Sequence, residues 1–159
     1  MTTAFYAGSF DPFTNGHLQV VTKAAAIFDK VIIGIGKNPN KRRRINIKTM
    51  KAGIEAVLES RNIKNFEVII FENLTVRCAQ ELKATHLIRG TRNITDYMAE
   101  ESLASINESL SGIDTIFFRA GKLGDVSSSM VMELYKHGED VSEYLAPEIL
   151  EIIDQIDFN

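Results

Sequence analysis

Two stretches, Lys30–Gly36 (KVIIGIG) and Phe66–Phe71 (FEVIIF), are apolar almost without interruption and then stop. A strand with one wet face alternates apolar and polar residues. A run apolar on both faces must be covered on both, which is the state of a strand inside a parallel sheet sandwiched by helices. Between such runs the apolar spacing lengthens to helical period. Leu18, Val21, Ala25 and Phe28 mark one amphipathic helix, and Met50, Ile54, Val57 and Leu58 mark another behind Asn46, a good N-cap. Further strands are expected at Thr3–Ala7, Thr85–Arg89 and Asp114–Phe118. Further helices are expected at Val76–Leu82, at Ile94–Leu110 closing near Ser111-Gly112, and at Met130–His137 capped by Ser127 or Ser128. A last helix, Glu148–Ile156, has Pro147 in its first turn. Strand and helix alternate throughout, which predicts an α/β fold with a doubly wound, parallel, five-stranded sheet. A length of 159 residues suits one domain, residues 1–159.

Composition narrows the partners. The net charge of -3 gives no bulk attraction to nucleic acid or to an anionic membrane. The single cysteine, Cys78, has no partner for an internal disulfide, which fits a reducing cytoplasm. No apolar run approaches the roughly 20 residues of a membrane span, and no segment reads as a signal peptide.

Ligands of open α/β sheets bind beyond the C-terminal ends of the strands, where the strand order switches. Four segments fall at such ends: Gly8–His17, Gly36–Arg44, Arg89–Arg92 and Arg119–Ser129. The first reads GSFDPFTNGH. Pro12 stiffens it, Asn15-Gly16 is turn chemistry with Asn15 a candidate cap, and His17 falls in the first helical turn, where free N–H groups and the helix dipole attract anions. A capped turn with an exposed His is the plain alternative. The second segment carries Lys41-Arg-Arg-Arg44, a basic run that is ordinarily a solvated loop. Gly34-Ile-Gly36 lies within a strand and lacks the full dinucleotide pattern, so it is not such a fingerprint. The third, IRGTR, sets Arg89 and Arg92 about Gly90, two guanidinium forks suited to phosphate, or else two surface ion pairs. The fourth, DVSSS, offers hydroxyls and amides at a helix start, a phosphate nest or simply a cap. His86 reads as buried strand filler and His137 as a helix C-terminal residue. No Cys/His cluster has zinc spacing.

The string Ser9-Phe-Asp-Pro followed by Thr14-Asn-Gly-His17 resembles the nucleotide-binding signature of the HIGH-type nucleotidyltransferases. As a whole, GSFDPFTNGH is very close to that of the phosphopantetheine adenylyltransferase family, and the likeness runs from about Tyr6 to Pro147. IRGxR, the xxPxKxx loop aligned on Pro39, and Val126-Ser-Ser-Ser-Met-Val131 extend it. Departures are Ser9 for the usual Thr, Thr75 for a larger apolar residue, Met98-Ala99 before Glu100, and Leu123 for a bulkier aromatic.

The resemblance implies a Rossmann-like nucleotidyltransferase fold and transfer of AMP from ATP to 4′-phosphopantetheine, giving dephospho-coenzyme A and pyrophosphate. It implies that His17 stabilises the transition state at the α-phosphate. ATP would meet Ser9, Phe10, His17, Gly90, Thr91, Arg92, Glu100, Leu123, Gly124, Asp125, Val126, Ser127, Ser128 and Ser129. The acceptor would meet Ser9, Lys41, Thr75 and Arg89, while Arg42–Arg44 would be mobile or structural. Mg²⁺ would ride mainly on the ATP phosphates, with no protein metal ligands. A homohexamer and feedback by coenzyme A are implied as well. The same fold elsewhere transfers AMP to nicotinate mononucleotide or CMP to glycerol phosphate. IRGxR and Lys41 argue against those, and the retained His17, Lys41 and Arg89 argue against a nucleotide-binding regulatory module without turnover.

Overall fold

A computed structural model describes residues 1–158. Five strands, β1 (Thr3–Gly8), β2 (Lys30–Gly36), β3 (Phe66–Phe71), β4 (His86–Thr91) and β5 (Asp114–Arg119), form one parallel sheet in the order β3-β2-β1-β4-β5. The helices are α1 (Asn15–Ala25), α2 (Ile47–Ser60), α3 (Thr75–Glu81), α4 (Ile94–Ser111), α5 (Ser128–Lys136) and α6 (Pro147–Asp154), with a 3₁₀ turn at Lys122–Asp125. The expected doubly wound α/β arrangement is therefore the observed one.

Alternation along each buried strand divides the interior in two. Ala4 and Tyr6 of β1 face a large core built with Val20 and Val21 of α1, Ile54 and Leu58 of α2, Val131 of α5 and Ile149 of α6. Phe5 and Ala7 face a smaller core with Val76 and Ala79 of α3. Gly34 serves this second core, because a Cβ there would run into the Phe5 ring and come within 3.0 Å of Phe71. Packing, not phosphate binding, explains that glycine.

The two cores differ in what covers them. α4 has no buried residue and leaves Ile94, Met98, Leu103, Ile106 and Leu110 exposed. The sequence shows no large apolar stripe here because polar residues are interspersed along the helix. Packing only one edge against α3, β4 and β5 leaves the apolar ones outside.

Strand ends shift where glycine and polar residues look like loop. β4 runs on to Thr91, paired with β5 through Gly90↔Phe118 and Thr91↔Arg119. The β1–β4 pairing is short. β1 matches β2 over its whole length, from Thr3↔Lys30 to Gly8↔Ile35, yet it matches β4 only at Ala4↔His86 and Phe5↔Leu87. Beyond those pairs the strands part. Their near ends are pinned by the Thr85 N–H donating to the Thr3 carbonyl at 2.8 Å. The switch in strand order is thus also a physical opening in the sheet.

Candidate active site

At this opening lies a cavity of ≈ 240 Å³ whose walls come from β1, the start of α1, β4 and the start of α5. His17 enters it from the first turn of α1. Thr14 is the N-cap, not Asn15 as expected. Its hydroxyl accepts from the His17 N–H (3.4 Å), while its own N–H donates to His17 Nδ1 (2.9 Å). This is a capping box with an imidazole where Glu or Gln is usual. Asn15 instead ties the helix start to the later chain, its amides donating to Tyr144 O and Glu143 O.

The capping box has a chemical consequence. Because Nδ1 accepts a hydrogen bond, the neutral ring carries its proton on Nε2. The Phe10 and Phe13 rings, with centroids 5.0 and 5.6 Å away, flank the imidazole. Burial first, then the charges of Arg89 and Arg92, push its pKa from 6.5 down to about 4. At neutral pH His17 is therefore an uncharged Nε2–H donor rather than an imidazolium.

Loop geometry holds that donor in place. Phe10 adopts φ 44, a left-handed conformation unusual for a residue with a side chain, and buries its ring beside Tyr6 and His17. Asp11, buried, accepts from the N–H groups of Arg44 (2.8 Å) and Ile45 (3.0 Å) and lies 3.6 Å from Arg43 Nη2. Arg43 donates to Ser9 O and Phe10 O, and Arg44 donates to Asp11 O and Ser129 Oγ. Of Arg42–Arg44, expected to be mobile or structural, Arg43 and Arg44 are structural and fasten the loop after β2 onto the loop after β1. Ser9 and Phe10 line the cavity. Lys41 is exposed on the turn where its N–H donates to Asn38 O, outside the cavity lining.

From β4, Arg89, Gly90 and Arg92 reach the same cavity. Arg89 makes a two-pronged ion pair with Glu100, and Arg92 Nη2 lies 3.6 Å from Asp96, so both guanidinium groups have carboxylate partners. Gly90 belongs to the ladder rather than to a ligand-facing turn. A Cβ there would come within 2.8 Å of Val20 Cγ2, so its smallness seats α1. Thr91 faces a neighbouring open hollow that Arg92 shares with Arg119, Lys122 and Asp125.

The start of α5 closes the far side. Ser127 caps the helix by accepting from the Met130 N–H, and Ser128 Oγ donates to Pro12 O (2.7 Å). Ser129 Oγ is held by Arg44 (2.8 Å). Only Ser128 spends its hydroxyl proton on the protein; the Ser127 and Ser129 oxygens accept, so their O–H donors, together with the amides of Ser128 and Ser129, which have no acceptor within the helix, are left for an anion. Gly124, Val126, Ser127 and Ser128 line the cavity. Leu123 packs its carbonyl over Gly16, where a Cβ would approach to 3.1 Å, and is not part of the lining. Tyr6, Gly16, Val20, Asp96 and Ala120 also line it and were not among the expected residues. Burial is the main cause that pushes the Tyr6 phenol far above its usual range, so it too is a neutral donor.

A second cavity, ≈ 250 Å³, lies on the other side of Arg89 and Glu100 and is walled mainly by apolar residues, among them Leu74, Val76, Leu103 and Leu110. Thr75, the first residue of α3, lines it. His137 is the C-cap of α5, as expected, whereas His86 is only half-buried, against Phe28 and Thr85. Among the described residues no three His, Cys, Asp or Glu side chains converge as a metal cluster, and no helix is long and apolar enough to cross a membrane.

Amides at the start of α5, two arginines and a neutral imidazole donor around one crevice make a site for a polyanion. Comparison with known proteins agrees. Residues 5–134 match the cytidylyltransferase-like family model. A phosphopantetheine adenylyltransferase of Campylobacter jejuni is 39% identical over 93% of this chain and 94% of its own length. One from Porphyromonas gingivalis is 42% identical over 89% of this chain and 92% of its own. A solved structure of a candidate nicotinate-nucleotide adenylyltransferase from Vibrio parahaemolyticus superposes with a TM-score of 0.70, covering 98% of this chain and 100% of that one. At 13% identity that likeness speaks for the fold alone. On these grounds the chain belongs to the phosphopantetheine adenylyltransferases, within the cytidylyltransferase-like family.

Proposed function

We propose that this chain transfers AMP from ATP to 4′-phosphopantetheine, yielding dephospho-coenzyme A and pyrophosphate. One observation carries the reading. A polar cavity holding the His17 donor and the α5 amides adjoins an apolar cavity of similar size across Arg89, Glu100 and Ala7. The first suits a triphosphate. The second suits a long, weakly polar arm whose phosphate reaches Arg89.

The acceptor's phosphate oxygen attacks the α-phosphorus, the bond from that phosphorus to the bridging oxygen breaks, and pyrophosphate leaves with the electron pair. The nucleophile is already an anion, so no general base is required. Catalysis consists of positioning and of stabilising charge on the phosphoryl oxygens. His17 donates its Nε2–H to an α-phosphate oxygen. Ser9, Phe10, Gly90, Thr91, Arg92 and the 123–129 segment hold ATP, with the Ser128 and Ser129 amides on its phosphates. Lys41, Thr75 and Arg89 hold the acceptor, Lys41 swinging in from its exposed turn. Asp96 and Glu100 are engaged by arginines, which fits Mg²⁺ carried by the ATP phosphates and water. The exposed apolar residues of α4 support a homo-oligomer, hexameric by resemblance, and coenzyme A is a feedback ligand by the same resemblance. A cytoplasmic setting suits these substrates.

The test is pyrophosphate release from ATP and Mg²⁺ with 4′-phosphopantetheine, nicotinate mononucleotide or glycerol phosphate. Release with the first alone is expected. Release only with another acceptor would move Lys41 and Arg89 to a different substrate. ATP binding without release would mean a binding module.

A further inference from the structure

Tyr6 stands on β1 one residue past the last pair that this strand makes with β4, and it lines the first cavity. It is only 5% exposed. Its ring packs edge-on to Phe10, with centroids 5.2 Å apart, and lies 6.3 Å from the His17 ring. A buried phenol normally hands its O–H to an acceptor, because leaving it unpaired costs the desolvation of the group. Among the described residues the Tyr6 hydroxyl has no hydrogen-bond partner. Nor is its oxygen sealed inside the protein, as the unpartnered Thr115 Oγ1 and Glu148 Oε2 are. The opening left to it is the cavity. The oxygen lies 3.9 Å from the point where a Gly90 Cβ would stand, and Val20 Cγ2 and Ala120 Cβ lie within 4 Å of the same point. All three residues line the cavity and offer no side-chain acceptor. Burial comes first among the influences on the phenol and keeps it protonated; the opposed charges of Arg89 and Glu100 follow, which places both groups near it. Arg89 and His17 are donors, and both Glu100 oxygens are taken up by Arg89. The acceptor for Tyr6 must therefore arrive with the ligand, and a phosphoryl oxygen is the acceptor that His17 and the arginines also call for.

We propose that Tyr6 is a further catalytic residue, whose O–H donates to a non-bridging oxygen of the α-phosphoryl group as that group passes from pyrophosphate to the acceptor. His17 serves the same group through its Nε2–H. The phenol keeps its proton throughout, and no covalent bond to Tyr6 forms or breaks. A neutral donor gains most from the charge that gathers in the transition state, so its loss is read in the rate and not in affinity. The proposal rests on the AMP-transfer reading above.

The test is Tyr6→Phe, which keeps the ring and deletes the hydroxyl. The rate of AMP transfer in a single turnover, with enzyme in excess over ATP and the acceptor saturating, should fall about ten- to a hundredfold, the scale of one hydrogen bond to a charged group. The Kd values of ATP and of 4′-phosphopantetheine, measured separately by calorimetry, should stay within about twofold of wild type. Thermal unfolding should give a Tm equal to that of wild type or higher, because the free protein gives up a buried hydroxyl that it leaves unpaired. A merely structural Tyr6 would instead lower Tm. A transfer rate within about threefold of wild type would overturn the proposal, since one lost hydrogen bond to a charged group costs more than that. So would weaker ATP binding with an unchanged transfer rate, which would put the hydroxyl on the ribose or the base. A Tm lowered by several degrees would give the hydroxyl a partner inside the protein and overturn the proposal as well. Should wild type prefer another acceptor in the pyrophosphate assay, transfer to that acceptor is the rate measured. The substrate assignment then fails while the role of Tyr6 is still decided. A wild type taking none of the three overturns both.

Discussion

Replacing His17 with Asn separates two jobs that one imidazole performs. The Asn Oδ1 stands the same number of bonds from the backbone as His17 Nδ1, so it can keep the acceptor for the Thr14 N–H, now 2.9 Å from the ring nitrogen. No atom of Asn reaches the place of Nε2. The capping box therefore survives and the phosphate donor is lost. Removing one preorganised donor at a reacting centre costs about 2.7–4 kcal/mol, or 10²–10³ in kcat. His17→Ala loses the donor and the reciprocal cap together, so it should show the same catalytic loss and in addition about 0.5–2 kcal/mol of stability. That corresponds to a few degrees in Tm at roughly 2–4 °C per kcal/mol. The assays are pyrophosphate release at saturating substrates and thermal unfolding of both variants. The expected pattern is equal kcat losses with a lower Tm only for Ala. His17→Asn with kcat within tenfold of wild type would refute the donor assignment. An Asn variant as unstable as the Ala variant would refute the capping role.

The other predictions use different handles on the same site. In the free protein an NMR titration of His17 should show a midpoint near 4. Because the unfolded chain takes up this proton near pH 6.5 and the folded one does not, the contribution of His17 should fall as pH drops from 6.5 toward 4; a midpoint near 6.5 would remove the argument for a neutral donor. Asp11→Asn discards a charged acceptor serving two amides and Arg43, and urea unfolding should report a loss of about 1–3 kcal/mol; unchanged unfolding would mean the two loops are fastened elsewhere. Gly124→Ala would drive a methyl into that of Ala120 and to 3.2 Å from Arg92 Cγ, so calorimetry should find weaker ATP binding and unfolding a stability loss of about 1–3 kcal/mol. Wild-type affinity in that variant would show that the 3₁₀ turn yields freely.

Strands were the most legible elements, since a strand buried on both faces leaves a continuous apolar run. β2 and β3 fall on the ends that KVIIGIG and FEVIIF mark. The end of β4 was obscured because Gly90 and Thr91 look like loop residues, and only the neighbouring β5 makes them strand. Thr14 and Asn15 are both good caps by composition, and the choice between them was made by partners on α1 and at Tyr144. The capping box was invisible because its usual signature asks for Glu or Gln at the third position and this chain has His17. The loop positions of the site were legible from topology, but the pairings within them were not. Asp11 meets Arg43 and Arg44 from more than thirty residues away, and Arg89 meets Glu100 across a loop and part of a helix. Such contacts exist only once the sheet has brought the segments together. The pair Arg92–Asp96, four residues apart across the start of α4, is the one that sequence spacing alone suggests.

The short ladder between β1 and β4 sets a limit on how this fold can improve. Each further pair of residues those strands matched would add hydrogen bonds to the sheet and would narrow the crevice by the same step. Cohesion and access are therefore opposed along a single seam, and the compromise stands at Ala4↔His86 and Phe5↔Leu87. Beyond it the two half-sheets are tied by the Arg89 side chain to Ala7. A polyanion gripping donors on both sides would bridge them too, so the missing part of the sheet is, in effect, completed by what it binds.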